Sequence, residues 1–336
     1  MKVTVIGCGS IGRRHLTGLT QLSKELGIDE VRGLDTNPER RDRVRKDIPS
    51  ALVFDSLESA VTGVDVIFMC APTSLHIPIY KEFSQFGDYH LFFEKPLSHT
   101  IEGCEQMLFD QKRKGKHTAV GYMLHHHPVL LKLKSLLESK KLGRVLSVRA
   151  ESGFYLPLWH PWEDYRDFYM SWKTGGGGAL LDLSHDINYL QWLFGDVNEV
   201  SGYVGTISDL EISSDDLALG ILNFSSGVMG QVQLDLLQFE ESRYCKVIGT
   251  EGVAVADITK NTLRYNTKDN HEWVEEKIEV DFDKIYHIQY KNVMNVFSGN
   301  EGYIVPGDAA YATMEVIEAI RRSQSYSTKV KLPLYD

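Results

Sequence analysis

A lysine and a histidine–aspartate pair stand where they could move protons in this 336-residue chain. Lys95 lies in Phe93-Glu94-Lys95-Pro96, directly after an apolar run that reads as a strand. In an open α/β sheet ligands sit beyond the carboxyl ends of the strands, so a lysine there projects toward a cleft. It could hold a carbonyl or alkoxide oxygen, donate a proton, or stabilise developing negative charge. Taken alone, Glu-Lys-Pro is also what an exposed turn looks like. Asp182 and His185 follow a glycine run, Gly175–Gly178, and lead into Asp-Ile-Asn188-Tyr189. Read as one apolar helix over 179–193, a spacing of three puts both on one face. A neutral imidazole beside a carboxylate can take the proton of a hydroxyl. The plainer alternative is a helix-terminal acid and a satisfied core histidine.

A third constellation opens the chain. The apolar run Val3–Ile6 feeds into Gly7-Cys8-Gly9-Ser10-Ile11-Gly12, and a helical pattern follows. Gly7 lets the chain turn sharply off the strand, Gly9 lets bare backbone approach a phosphate, and Gly12 lets the helix sit close to the strand. The amide-rich helix N-terminus, with Ser10 and Ile11 in its first turn, then faces a pyrophosphate. With 28 glycines in the chain, the pattern alone is weak. Its context fits, because Val31-Arg-Gly-Leu-Asp35 ends the next strand with a carboxylate at the spacing expected for an adenosine ribose. A dinucleotide site is therefore expected, with NAD favoured over NADP because Asp35 would repel a 2′-phosphate. The basic run Arg40–Lys46 reads mostly as a solvated helix face, with Arg40 placed to stack on adenine.

The elements that must position these residues follow from periodicity. Strands are expected over 2–6, 30–35, 51–54, 65–70, 89–93 and 117–121, with helices over 11–26, 38–47, 56–62, 76–86 and 100–114. That alternation means a doubly wound parallel sheet, a Rossmann domain over 1–122. After a helix over 128–140 and an extended run over 144–154, an aromatic stretch, Phe154–Trp172, precedes the glycine run. Seven β segments over 197–278, joined by tight turns, imply a mixed or antiparallel sheet in an α+β domain over 123–336. Asp308 is a candidate N-cap for a last helix over 308–323, which is free to pack back on the first domain.

Composition narrows the function. A formal charge of −10 argues against nucleic acid or anionic membrane as partner, and no apolar run is long enough to cross a bilayer. The first strand is read from Lys2, so no signal peptide is expected. Cys8, Cys70, Cys104 and Cys245 form no CxxC, so a reduced, cytoplasmic setting is expected. His125-His126-His127 has the count for a metal site, but consecutive side chains point apart and no acid or cysteine cluster accompanies them, so no metal is expected.

The three motifs, in this order and at these separations, resemble the Gfo/Idh/MocA oxidoreductases, a family that includes glucose–fructose oxidoreductase and inositol dehydrogenase. The likeness covers almost the whole chain. Ala71-Pro72-Thr73-Ser-Leu-His76 looks like the family loop beside the nicotinamide, and Val120-Gly-Tyr122 like its exit from the cofactor domain. The resemblance implies NAD(P)-linked redox at a carbinol or carbonyl carbon of a sugar, inositol or nucleotide-sugar. Lys95 would be the family lysine, with Glu94 beside it at the cofactor, His185 the general acid/base and Asp182 its supporting carboxylate. An open-faced second sheet would form a homodimer or homotetramer.

Three departures stand out. The family separates its Asp and His by four positions and not three, so either the helix entry is shortened or Leu181 fills the Asp position. Asn188 stands where an Asp is frequent, and His125 where an Arg is common. Tyr155-Leu-Pro-Leu-Trp159-His-Pro-Trp-Glu-Asp164-Tyr-Arg166 resembles a branch acting in surface-polysaccharide and amino-sugar pathways. There Trp159 could stack on a sugar face while Asp164 and Arg166 contact hydroxyls or a carboxylate, together with Tyr122 and His125. The alternative is an aromatic interface or hinge. Two further readings stay open: a non-catalytic NAD-binding regulator of a sugar pathway, and an internal-redox epimerase or eliminase that reduces NAD only transiently.

Overall fold

A computed structural model of the chain describes residues 1–334; Tyr335 and Asp336, the end of the expected second domain, lie outside the described residues. The chain forms two compact units, Met1–Met123 with Phe282–Tyr311, and Leu124–Asp281 with the chain from Ala312 onward. A division at 122/123 does not anticipate the return of 282–311. The helix that rejoins the first unit is Phe282–Phe297, packed on the helix Ser10–Gln21. The helix expected over 308–323 runs Gly307–Tyr326, with Asp308 inside its first turn and paired with Lys112 at 2.8 Å.

In the first unit six parallel strands, β1 (Lys2–Ile6), β2 (Glu30–Leu34), β3 (Leu52–Phe54), β4 (Val66–Met69), β5 (His90–Phe93) and β6 (Thr118–Val120), lie in the order β3-β2-β1-β4-β5-β6. The order reverses at β1/β4, the crevice where open α/β sheets bind ligands beyond the strand ends. Every residue of β4 is buried, as a central strand covered on both faces requires. Gly18 sits mid-helix for a steric reason: a Cβ there would lie 2.3 Å from the ring of Tyr290. The bare glycine, which costs a helix about 0.5–1 kcal/mol relative to alanine, makes room for Tyr290.

In the second unit β7 (Val145–Tyr155), β8 (Val197–Gly205), β9 (Leu217–Phe224), β10 (Met229–Asp235), β11 (Leu237–Gly249), β12 (Gly252–Asp257), β13 (Thr262–Thr267), β14 (Asn270–Lys277) and β15 (Val330–Lys331) make one sheet in the order β14-β13-β12-β11-β7-β10-β9-β8-β15. Only β7 and β10 pair in parallel; the other pairings are antiparallel. This is the mixed sheet expected over 197–278, widened by β7 and β15. The apolar helix expected over 179–193 is instead two helices, Ala179–Asp182 and His185–Phe194, broken at Leu183–Ser184. Asp182 closes one and His185 opens the next, which corrects the picture of two residues on one continuous helical face.

Candidate active site

In the first unit the glycine turn is built as the spacing requires. Gly7 has φ +94°, and a Cβ there would lie 2.7 Å from the backbone of Cys70. A Cβ on Gly12 would lie 1.8 Å from the carbonyl oxygen of Gly7, so only glycine lets this helix approach its strand so closely. Gly9 differs: its φ is −65° and a Cβ would meet nothing within 4 Å. The protein does not need that residue bare, whereas a phosphate approaching the backbone does. No side chain caps the helix Ser10–Gln21, so its first amides point outward. An anion with the charge of a pyrophosphate fits this cradle.

Asp35 borders the same turn. One carboxylate oxygen, Oδ2, accepts the amide of Cys8 at 2.7 Å, and the other accepts the amide of Asn37 at 2.8 Å. Asn37 in turn caps the helix Pro38–Asp47, which brings Arg40 Nη1 within 3.7 Å of Asp35. The carboxylate is thus fixed in place before any ligand arrives, and its remaining lone pairs are those a ribose hydroxyl would use. Ala71 lies against the turn, its amide nitrogen 2.8 Å from where a Gly7 Cβ would be. Thr73 starts a 3₁₀ turn after Pro72. His76 is fully buried, with Nδ1 3.0 Å from the Leu97 carbonyl and Nε2 3.0 Å from the Ala71 carbonyl. Burial holds its pKa below the ordinary histidine value, and a neutral ring donates only one of these two bonds. The ring therefore lies between the loop after β4 and the loop after Pro96, hydrogen-bonded to one and packed against the other. Lys95 and Glu94 stand at the carboxyl end of β5, half-buried, and Tyr122 is buried.

In the second unit the glycine run wraps a short chain reversal. A Cβ on Gly178 (φ +113°) would lie 2.4 Å from Asp215 Oδ1, and one on Gly177 2.4 Å from the carbonyls of Tyr169 and Met170. Asp215 accepts the Leu180 amide at 2.8 Å, so the strand-side carboxylate caps the helix that ends at Asp182. Burial pushes the Asp215 carboxyl up in pKa. Tyr169 donates its hydroxyl to Asp182 Oδ1 at 2.5 Å. From Gly176 to Leu190 every residue is buried except His185, which is half-buried. The imidazole is thus the one polar group this segment presents. Next to it Asp186 is fully buried, 3.1 Å from Arg243, whose Nε donates to Ser152 at 2.9 Å. This pair pins the start of the helix to the sheet.

Two of the sequence departures turn out to be partners. His125 Nε2 donates to Asn188 Oδ1 at 2.7 Å, and Asn188 Nδ2 donates to Thr313 at 3.0 Å. The His125 ring stacks on Trp192 at 4.5 Å, and burial lowers its pKa to about 4. His125 and Asn188 thus form an uncharged hydrogen-bonded pair. Trp159 is about half-exposed and clusters with Phe154, His160 and Phe168. Arg166 is held by Asp164 through Nε and Nη2 and by Glu211 through Nη1 at 2.6 Å, which keeps the Asp164 carboxyl near pKa 2. Its guanidinium is occupied in ordering the loop. Among the described residues no cluster of His, Cys, Asp or Glu forms a metal site, and no helix is long and apolar enough to cross a membrane.

Tyr169, Asp215 and the Asp186–Arg243 pair were not singled out from the sequence. Each lies far along the chain from the residue it supports or reads as an ordinary aromatic or acid, so spacing carries no signal for it.

Known proteins place this architecture. Residues 1–122 match the profile "Oxidoreductase family, NAD-binding Rossmann fold", and residues 130–255 match the "GFO/IDH/MocA C-terminal domain". Inositol 2-dehydrogenase of Burkholderia lata is 25% identical over 338 residues, spanning 96% of this chain and 94% of that enzyme. D-xylose dehydrogenase of Paenarthrobacter nicotinovorans is 28% identical over 239 residues, 61% of this chain and 57% of that enzyme. A crystal structure of the WlbA dehydrogenase of Bordetella pertussis, in complex with NADH and UDP-GlcNAcA, shares the fold with a TM-score of 0.82, over 99% of each chain at 22% identity. The chain belongs to the Gfo/Idh/MocA family of oxidoreductases and carries that family's NAD-binding Rossmann fold.

Proposed function

We propose that the protein is an NAD-dependent dehydrogenase acting on a hydroxyl of a sugar, inositol or nucleotide-sugar, or on the matching carbonyl in reverse. The observation that carries the reading is the pairing of an anion cradle at Gly9 with a prefixed Asp35 in the first unit, in a family whose named relatives oxidise inositol and xylose. When bound, NAD supplies the hydride acceptor. Gly7–Gly12 with Ser10 and Ile11 hold its pyrophosphate, Asp35 and Arg40 its adenosine end, and Ala71–Thr73 flank its nicotinamide. His185 takes the hydroxyl proton, supported by Asp182, and Lys95 hydrogen-bonds the oxygen as it gains charge. Trp159, Asp164, Arg166, Tyr122 and His125 complete the proposed substrate surroundings, Arg166 and His125 by ordering the segments that carry them.

The reading extends to a cytoplasmic setting and to a homodimer or homotetramer through the outer face of the second sheet. Tyr203, Ile221, Met229 and Ile248 share that face and are each over a third exposed.

The test is NADH formation from NAD with a panel of free sugars, inositols and UDP- or GDP-linked amino sugars, with Lys95→Ala alongside. A signal from one class that the control lacks establishes the dehydrogenase. Silence across the panel with NAD binding intact moves the weight to an internal-redox enzyme or a regulator. Asp35→Ala is expected to weaken NAD by about ten- to a hundredfold, the scale of lost hydrogen bonds to a charged group, while NADP binding improves. Fluorescence titration of both cofactors checks this; an unchanged NAD/NADP ratio removes Asp35 from the ribose.

A further inference from the structure

We infer that His15, acting through Glu94, is a positioning residue for Lys95; the inference rests on the role proposed above for that lysine. His15 lies in the second turn of the helix Ser10–Gln21 and is fully buried. Its Nε2 is 2.6 Å from Glu94 Oε1, while Glu94 Oε2 accepts the backbone amide of Lys95 at 3.2 Å. The rest of the ring is enclosed by aromatic rings: Phe68, Phe92, Tyr286 and Tyr290 have centroids 5.4–6.1 Å away. Among the described residues Nδ1 has no hydrogen-bond partner. Glu94 is thus the polar contact that keeps an imidazole in this cage.

Burying a polar ring among four aromatic ones costs free energy that a phenylalanine would not cost. Such a local violation is expected where a residue serves a site and not the core. The bond joins two reference points. One end is the helix that carries the phosphate cradle, jammed against its strand at Gly12. The other is the peptide that sets the direction of the Lys95 side chain. His15 therefore registers the lysine against the bound cofactor, and a displaced lysine loses rate because a misplacement of about 1 Å costs up to about a hundredfold.

The test combines amide hydrogen exchange with kinetics in His15→Phe, which fills the cage without a donor, and His15→Gln, which restores a donor near the Nε2 position. In His15→Phe, exchange of the peptide over 92–97 is expected to speed up about tenfold while peptides from β1 and β4 stay unchanged. Turnover should fall about 10–100-fold with NAD affinity within about threefold, and His15→Gln should recover most of both. Unchanged exchange at 92–97, exchange raised equally across the sheet, or a glutamine variant as impaired as the phenylalanine one would each overturn the inference. Local loosening with full turnover overturns it too. The exchange arm needs no substrate and does not depend on what Lys95 does. If Lys95→Ala keeps full activity, it is the role of the lysine that fails.

Discussion

Replacing Lys95 by alanine is expected to lower turnover by about two to four orders of magnitude. The lysine follows β5, a strand buried along Leu91–Phe93 within the parallel sheet, at the end where such sheets bind ligands. Its neighbours are fixed: the Glu94 carboxylate holds its amide, and the buried His76 ring sits between the Leu97 and Ala71 carbonyls. A lysine whose backbone is fixed has less to reorganise when an oxygen beside its ammonium gains charge, and preorganisation of this kind is the source of large electrostatic effects. The loss should fall on kcat more than on KM, because the interaction is strongest when the charge has developed. Arginine should not rescue it, since a planar fork cannot occupy the place of a compact ammonium. Steady-state kinetics on the substrate found by the panel, with NADH titration and thermal unfolding as controls, checks this. Turnover within about threefold of the parent, in a folded protein that still binds NAD, would remove Lys95 from the chemistry.

The parts of the fold legible in the sequence are those where one residue type answers one local demand. Gly7 and Gly12 are legible because a Cβ would lie 2.7 Å from the Cys70 backbone at Gly7, where φ is +94°, and 1.8 Å from the Gly7 carbonyl oxygen at Gly12. The six strands of the first sheet emerge within a residue or two, because buried parallel strands are continuous apolar runs. The helix Phe282–Phe297 was not anticipated, although its buried Ile285, Gln289, Val293, Met294 and Phe297 repeat with helical spacing. That signal was present. What spacing could not supply is the partner, since an apolar face does not say which unit it will cover.

The break between Asp182 and His185 is of another kind. Leu183-Ser184 contains neither glycine nor proline, and its residues are compatible with a helix, so nothing in the local sequence marks the turn. Likewise His125 and Asn188 read as two separate departures 63 residues apart, and only the folded unit shows them as one hydrogen bond. Tyr169 was hidden among other aromatics because nothing in its local sequence marks it as the donor to Asp182.

Replacing His185 by glutamine is expected to cost about two to four orders of magnitude in turnover and to change how the rate depends on pH. The residue is available: at the start of the helix His185–Phe194, His185 is the one half-buried side chain between Gly176 and Leu190. Only an unprotonated imidazole can accept a proton, so kcat/KM for oxidation should rise with pH in the parent until the ring is deprotonated. Glutamine keeps size and polarity but does not titrate, so that limb should disappear while NAD affinity stays within about threefold. Alcohol oxidation then falls to hydroxide or water as base and climbs with pH without a histidine plateau. A pH profile in which the limb persists would assign the base to another group and return His185 to a structural place at the head of its helix. Asp182→Asn separates the remaining possibility. If the carboxylate supports the imidazole, its loss lowers the rate without abolishing the limb, because the proton acceptor is still present and only its partner has gone.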